Sequence, residues 1–235
     1  MRGFCPLIFL SGTHMDQRDK LKSSFGRFMR AMADLLILNF LTLFCSLPVI
    51  TIGPALCGLY TVTLKIARDE PVETIRMFFA AFKKNFFQGL ILGSIAVLGA
   101  IVIYVDGVYA FSIEETAKIV FCIVTGLIGS VWLTYVCYVF ALQARYENSV
   151  KGQIRNAFLL AFVSPLKTVL MWIILAIPVL LILYLPQSFI AYASSLFIMF
   201  GISLPVFCNS AILRGIFDRF DPKELSNNEE EYKEE

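Results

Sequence analysis

Histidine occurs once in this chain, at His14, tryptophan twice, and charged side chains make up 16% of the 235 residues. With a single histidine there is no H-E-x-x-H zinc site and no histidine-centred triad. The sequence also holds no G-x-S-x-G elbow, no Walker-type glycine loop and no pair of intramembrane aspartates. The six cysteines, Cys5, Cys45, Cys57, Cys122, Cys137 and Cys208, show no C-x-x-C spacing. Five of them sit in apolar blocks and read as small hydrophobes rather than metal ligands. No catalytic residue, cofactor or metal is therefore expected, and the chain carries no nucleic-acid-binding motif.

The shortage of charge is itself informative. A soluble domain is about 25% charged and about half apolar, whereas this chain is 58% hydrophobic. Its apolar residues are not broken by periodic polar positions. No charged residue occurs in 35–64, 86–105, 119–144 or 168–213. At a rise of 1.5 Å per residue, about 20 apolar residues cross a hydrocarbon core roughly 30 Å thick. The expectation is an all-α, polytopic transmembrane bundle in contact with membrane lipids.

The first block is too long for one upright span, and Pro48, Gly53 and Pro54 interrupt its centre. Each proline removes a backbone donor and disfavours helix at the residue before it. Two short helices, 31–47 and 54–67, joined as a Pro/Gly-broken hairpin, are one solution; a single kinked span is the other. Charge placement favours the hairpin. With it there are six spans, the others being 86–105, 119–143, 166–185 and 189–213. The basic residues then group on one side as six in 2–30, five in 65–84, four in 145–167 and four from 214 onward, leaving only Lys118 opposite. Because the Lys and Arg excess marks the cytoplasmic side, both termini are expected there. A single first span moves the N-terminal six across and weakens the bias.

The hairpin divides the chain into a cytoplasmic, partly disordered N-terminal extension (1–30), a transmembrane domain (31–217) and a disordered acidic tail (218–235). Residues 1–217 carry 17 Lys and Arg against 10 Asp and Glu, and the tail 3 against 8. The apolar stretch 3–10 is too short for a secretory signal and no small-residue cleavage site follows it. Residues 1–14 read as a disordered extension or an upstream start, with Met15 an alternative first residue. The loop 106–118 is short and acidic, and 186–188 is a tight turn.

Both longer cytoplasmic connections have helical periodicity. In the first, Ile75, Phe78, Phe79, Phe82 and Phe86 share a face, with Glu73, Arg76, Lys83 and Lys84 elsewhere. In the second, Ile154, Ala157, Phe158, Ala161 and Phe162 oppose Lys151 and Arg155. Such helices lie on a bilayer or pack beneath the bundle, and the pattern leaves both open. Arg76, Lys83, Lys84, Lys151 and Arg155 are the candidate contacts for a partner. The two units suggest a parallel internal repeat, Ala67-Arg68 matching Ala144-Arg145, with Arg76 set against Arg155 and Phe79 against Phe158.

Polar groups inside spans are the remaining candidates, because they are costly in hydrocarbon. Asp34 opens the first span and is expected to favour the helix N-terminus near Arg27 or Arg30. Asn39, Gln88 and Asn209 are expected to hydrogen-bond between helices. The Pro48, Gly53 and Pro54 turn is a re-entrant or broken-helix candidate. Pro178 and Pro205 are expected to kink later spans. Gly89-x-x-x-Gly93 allows close helix contact but occurs often by chance.

The stretch Ala33-Asp34-Leu35-Leu36-Ile37-Leu38-Asn39, then Cys45-Ser46-Leu47-Pro48-Val49-Ile50-Thr51-Ile52-Gly53-Pro54, Leu59-Tyr60, Arg68-Asp69 and Phe78-Phe79-Ala80-Ala81-Phe82-Lys83-Lys84-Asn85-Phe86 resembles the YesL-like family over about 33–89. The resemblance implies a small bacterial integral membrane protein of the plasma membrane, with no established activity. Genes of that family often lie near sugar uptake systems and polysaccharide-degrading enzymes. It therefore implies an accessory or regulatory role in carbohydrate uptake, with sugar ABC transporter components as partners, or a small transporter or permease subunit.

Overall fold

A computed structural model of the chain describes residues 12–110, 115–184, 195 and 197–220. No strand occurs among the described residues. The helices are α1 (Gly12–Cys45), α2 (Ile52–Ile66), α3 (Thr74–Lys84), α4 (Phe86–Ala110), α5 (Glu115–Arg145), α6 (Val150–Val163), α7 (Pro165–Tyr184) and α8 (Ser203–Phe217). Single 3₁₀ turns occupy Val49–Thr51 and Asp218–Phe220. The expected tight turn at 186–188, part of the loop at 111–114 and the tail from 221 lie outside the described residues.

Four helical segments are long and apolar enough to cross a membrane: Gly26–Cys45, Val49–Ile66, Phe86–Ala110 and Lys118–Arg145. A fifth arises if α6 and the first part of α7, bent by 108° at Ser164, are taken together. Among the described residues the fold is thus a helical bundle with four to five apolar spans, and the start of the sixth expected span, 189–194 and 196, lies outside them. The described part of the expected 189–213 span is interrupted: a turn at Gly201 and Ile202 precedes α8. Pro205 lies in the first turn of α8 instead of kinking a continuous helix, a position where its missing N–H costs nothing. At the other end of the chain α1 extends further than expected, taking in Gly12 to His14.

The hairpin is present, with α1 packed on α2 and the chain reversing at 46–51. Its tip does not run alongside the whole of α4. Gly53 and Pro54 meet Gly89 and Gly93, in the first third of α4. From Gly93 to Ala110, α4 continues for roughly 25 Å at 1.5 Å per residue. Leu47, Val49 and Ile50 at the tip are exposed and apolar. The Thr51 hydroxyl reaches the carbonyls of Cys45 (2.6 Å) and Pro48 (2.7 Å), satisfying backbone acceptors where the helix breaks. Carbonyls freed at the break are thus paired within the chain, as an interrupted helix in a membrane requires.

α2 ends in a Schellman cap: the N–H of Glu70 donates to Lys65 O (3.1 Å) and that of Asp69 to Ile66 O (3.0 Å). Asp69 takes φ 56° at the position glycine usually fills. The reversal lays α3 against α2, where Phe78 is fully buried over Gly58, a Cβ on which would come within 3.0 Å of the Phe78 ring. Of the two positions open to this amphipathic helix, packing on the bundle is the one adopted by Phe78 and Ala81. Ile75 and Phe79 remain exposed.

The second unit has the same plan. An offset of 79 residues separates Arg76 from Arg155, buried Phe78 from buried Ala157, and the helix break at Asn85 from that at Ser164. The core unites Leu35 and Leu38 of α1, Leu59 and Val62 of α2, Tyr138 and Phe140 of α5, Met171 of α7 and Leu213 of α8, all fully buried. Along α4 and α5, by contrast, Leu98, Ile101, Ile119, Val120 and Leu127 are exposed. An uncovered apolar surface of this extent fits hydrocarbon and not water.

Candidate functional site

Two places in the bundle gather polar or unusual geometry: the basic end, where α2, α5 and α8 finish, and the break ahead of α8.

At the basic end, Arg68 follows α2, Arg145 ends α5 and Arg214 lies in the last turn of α8. All three turn toward Asp218. Arg68 hydrogen-bonds its carboxylate, Arg214 Nε lies 3.7 Å from it and Arg145 4.0 Å. Arg145, the most enclosed of the three at 15% exposure, also stacks over the rings of Phe217 (5.1 Å) and Tyr146 (5.5 Å). Arg214 donates a further bond to Ala67 O at 2.7 Å. Arg68 and Arg145, which the sequence pattern sets at matching places, thus share one carboxylate. Asp218, read from sequence as the first residue of a disordered tail, caps the bundle because three cations converge on it.

Beside this cluster, a cleft of about 240 Å³ opens between α3 and the α5–α6 connection. Thr61, Lys84, Asn85, Gln143, Arg145 and Glu147 give it polar walls, and Met77, Ala80 and Ala81 an apolar side. Gln143 is the centre of the amide group at its base. Its Nε2 donates to Asn85 Oδ1 (2.9 Å) and to Gln88 Oε1 (2.6 Å), tying α5 to α4. Lys84 pairs with Glu147 across the opening and holds the Glu147 carboxyl below its ordinary range, by hydrogen bonding first and charge second.

The sequence candidates fall unevenly around this cleft. Lys84 is part of it. Arg76 pairs with Glu73 one turn back at 3.2 Å, and with Lys83, Lys151 and Arg155 it stands exposed on α3 and α6. Asp34 is not at a helix start, since α1 begins at Gly12; it accepts a 2.6 Å bond from Thr74 Oγ1 and ties α1 to the start of α3. Gly53 and Pro54 make the crossing with α4, and Pro48 the turn. Sequence reasoning missed Arg68, Arg145, Arg214 and Asp218 as a group. Their only local signal was the matching of Ala67-Arg68 with Ala144-Arg145.

At the break, Asn39 does what an intramembrane amide was expected to do. Its Nδ2 donates to Ile198 O (2.7 Å), and its Oδ1 accepts from the N–H groups of Ile202 and Ser203 (both 3.0 Å). One fully buried side chain therefore closes the end of one helical segment and caps the start of α8. Next to the break lies an apolar cleft of about 200 Å³ among α2, α5, α7 and α8. Leu56, Tyr60, Phe140, Leu175, Pro178 and Gly201 are among its walls. Further along the α2–α8 contact, the hydroxyls of Thr63 and Ser210 meet at 2.8 Å, and Tyr138 and Thr168 join α5 to α7 at the same distance. Among the described residues no group of His, Cys, Asp and Glu is placed to hold a metal ion.

With this geometry in view, comparison with known proteins gives two matches. The family described as "Protein of unknown function, DUF624" matches residues 35–107. The chain is 27% identical over 150 residues to "Uncharacterized protein YesL" of Bacillus subtilis (strain 168), an alignment covering 63% of this chain and 69% of that protein. No solved structure matches significantly.

Proposed function

On the premise of a YesL-like membrane protein, which both similarities support, we propose that this chain is a non-enzymatic accessory or regulatory protein in bacterial carbohydrate uptake. It sits in the plasma membrane with both termini cytoplasmic, and sugar ABC transporter components are its partners. The observation that carries the reading is the mounting of α3. Phe78 and Ala81 fix one side of the helix to the bundle, while Ile75 and Phe79 stay exposed beside the exposed Arg76 and Lys83. A helix anchored on one side and offering a mixed basic and apolar surface on the other suits docking of a protein partner. The carbohydrate context comes from the family resemblance. The non-enzymatic reading is supported by the want of any nucleophile, base or metal-ligand set of known spacing.

The test is cross-linking with mass spectrometry in native membranes of cells grown on polysaccharide, with Lys83, Lys84 and Lys151 as handles. Reproducible links from α3 and α6 to a sugar permease or its ATPase are expected. Links confined to the chain itself would overturn the accessory role.

A second reading, a small transporter or permease subunit, is favoured by the apolar cleft beside the Asn39-capped break. Broken spans next to a cavity are a recurrent feature of substrate sites in transporters. Reconstituted protein that moves no solute across a vesicle membrane would remove that reading.

A further inference from the structure

The cleft at the basic end holds a polar group that the protein leaves without a partner. Asn85 Nδ2 donates to Ala81 O at 3.1 Å, which orients the Asn85 amide with its oxygen toward Gln143. Gln143 must therefore point its NH₂ at Asn85 Oδ1 and Gln88 Oε1, both acceptors. Its own Oε1 is left buried and without a hydrogen-bond partner, on a side chain only 4% exposed that lines the cleft. A buried acceptor in that condition costs free energy until a donor reaches it.

The charge around the cleft has a definite sign. Lys84 and Arg145 line it and Glu147 opposes them. Arg145 is also one of three arginines sharing the single carboxylate of Asp218. Of these six side chains, Lys84, Arg68, Arg145 and Arg214 outnumber Glu147 and Asp218, leaving a net charge of plus two. Arginine enclosed beside a surplus of cations favours an oxyanion, and its planar fork fits phosphate.

We propose that this cleft binds a phosphate ester that carries free hydroxyl groups. The phosphate pairs with Arg145 and Lys84, and a hydroxyl donates to Gln143 Oε1. An isolated inorganic anion satisfies the first requirement but not the second. A phosphoglycerol lipid headgroup and a small soluble polyol phosphate both satisfy the two together. The site is independent of whether the outer face of α3 docks a protein.

The experiment compares the full chain in nanodiscs of phosphatidylcholine alone, in nanodiscs containing phosphatidylglycerol, and in phosphatidylcholine nanodiscs with added glycerol 3-phosphate or inorganic phosphate. Thermal midpoint and lipid retention in native mass spectrometry are the readouts. Stabilisation by phosphatidylglycerol alone assigns the ligand to the membrane, and stabilisation by glycerol 3-phosphate beyond that of inorganic phosphate assigns it to the soluble pool. Either supports the site, provided Lys84→Gln and Gln143→Leu each weaken the effect by about tenfold in apparent affinity, the scale of one charge-assisted or buried hydrogen bond. Arg145→Gln should abolish it and Arg145→Lys restore part. Lys118→Gln, which removes a cation far along the chain from the cleft, should leave it unchanged. A wild type with no preference for either ligand, or Lys84 and Gln143 variants that respond as the wild type does, would overturn the proposal.

Discussion

Gly53 of α2 lies backbone to backbone against Gly89 of α4: a Cβ on Gly53 would run into the carbonyl of Gly89 and come within 2.8 Å of Gly93 Cα. The Gly89-x-x-x-Gly93 pair thus serves a contact inside the chain. Gly53→Ala should destabilise by about 2 to 3 kcal/mol, because backbone on both sides prevents relaxation. Gly126→Ala meets nothing within 4 Å and should be neutral or stabilising by about 0.5 to 1 kcal/mol. Thermal unfolding of both variants in one detergent distinguishes a specific contact from a general intolerance of helix substitution.

The hairpin tip tests the depth of the first two helices. If residues 46–51 end within the hydrocarbon beside the start of α4, a cysteine at Val49 in a background without other cysteines will react with a membrane-impermeant maleimide from neither side of sealed vesicles. A tip reaching the far aqueous face would label from that side. The exposed, apolar Leu47, Val49 and Ile50 lead us to expect no labelling.

Asn39 carries three hydrogen bonds at the break. Asn39→Leu keeps the number and branching of side-chain heavy atoms but strands two N–H groups and a carbonyl. At about 0.6 to 1.7 kcal/mol for each bond within a membrane, a loss of roughly 2 to 5 kcal/mol is expected. A scan of thermal stability reads it, and hydrogen exchange should show the first turn of α8 losing protection first.

The Lys84–Glu147 pair gives a pH dependence whose sign follows from its chemistry. Lys84 favours the charged carboxylate, so the pKa of Glu147 in the folded chain lies below its ordinary value. The contribution is present above the unfolded pKa and is lost as pH falls through the folded one. In Lys84→Met the titration midpoint of Glu147, followed by carbon-detected NMR of labelled glutamate, should move up. Both side chains are largely exposed, so global stability should barely change.

Much of this fold was legible residue by residue. The uncharged blocks located the apolar helices, Pro48 and Gly53 placed the hairpin break, and the spacing of Ile75, Phe78 and Phe82 identified α3, whereas Phe86, read on the same face, opens α4. The break before α8 was not, because Gly201 and Ile202 lie in an unbroken apolar run and nothing local distinguishes a turn there from continuous helix. Nor was the long α1: Asp34 looked like a first-turn carboxylate because the basic residues before it resembled a solvated extension. The cleft was partly legible. Lys84 stood out by its position on an amphipathic helix, but Gln143 was taken only as the limit of a span.

The class of protein was determined by the sequence alone, since the cost of placing an apolar block in water, or a charge in lipid, is a property of each segment by itself. The helical periods and the breaks at proline are equally local. Only the tertiary structure decided which glycines touch, that Asn39 caps a segment more than 150 residues away, and that Asp218 gathers Arg68, Arg145 and Arg214. Those pairings depend on the mutual placement of helices distant along the chain, and hydrogen bonds and close backbone crossings have meaning only once that placement exists.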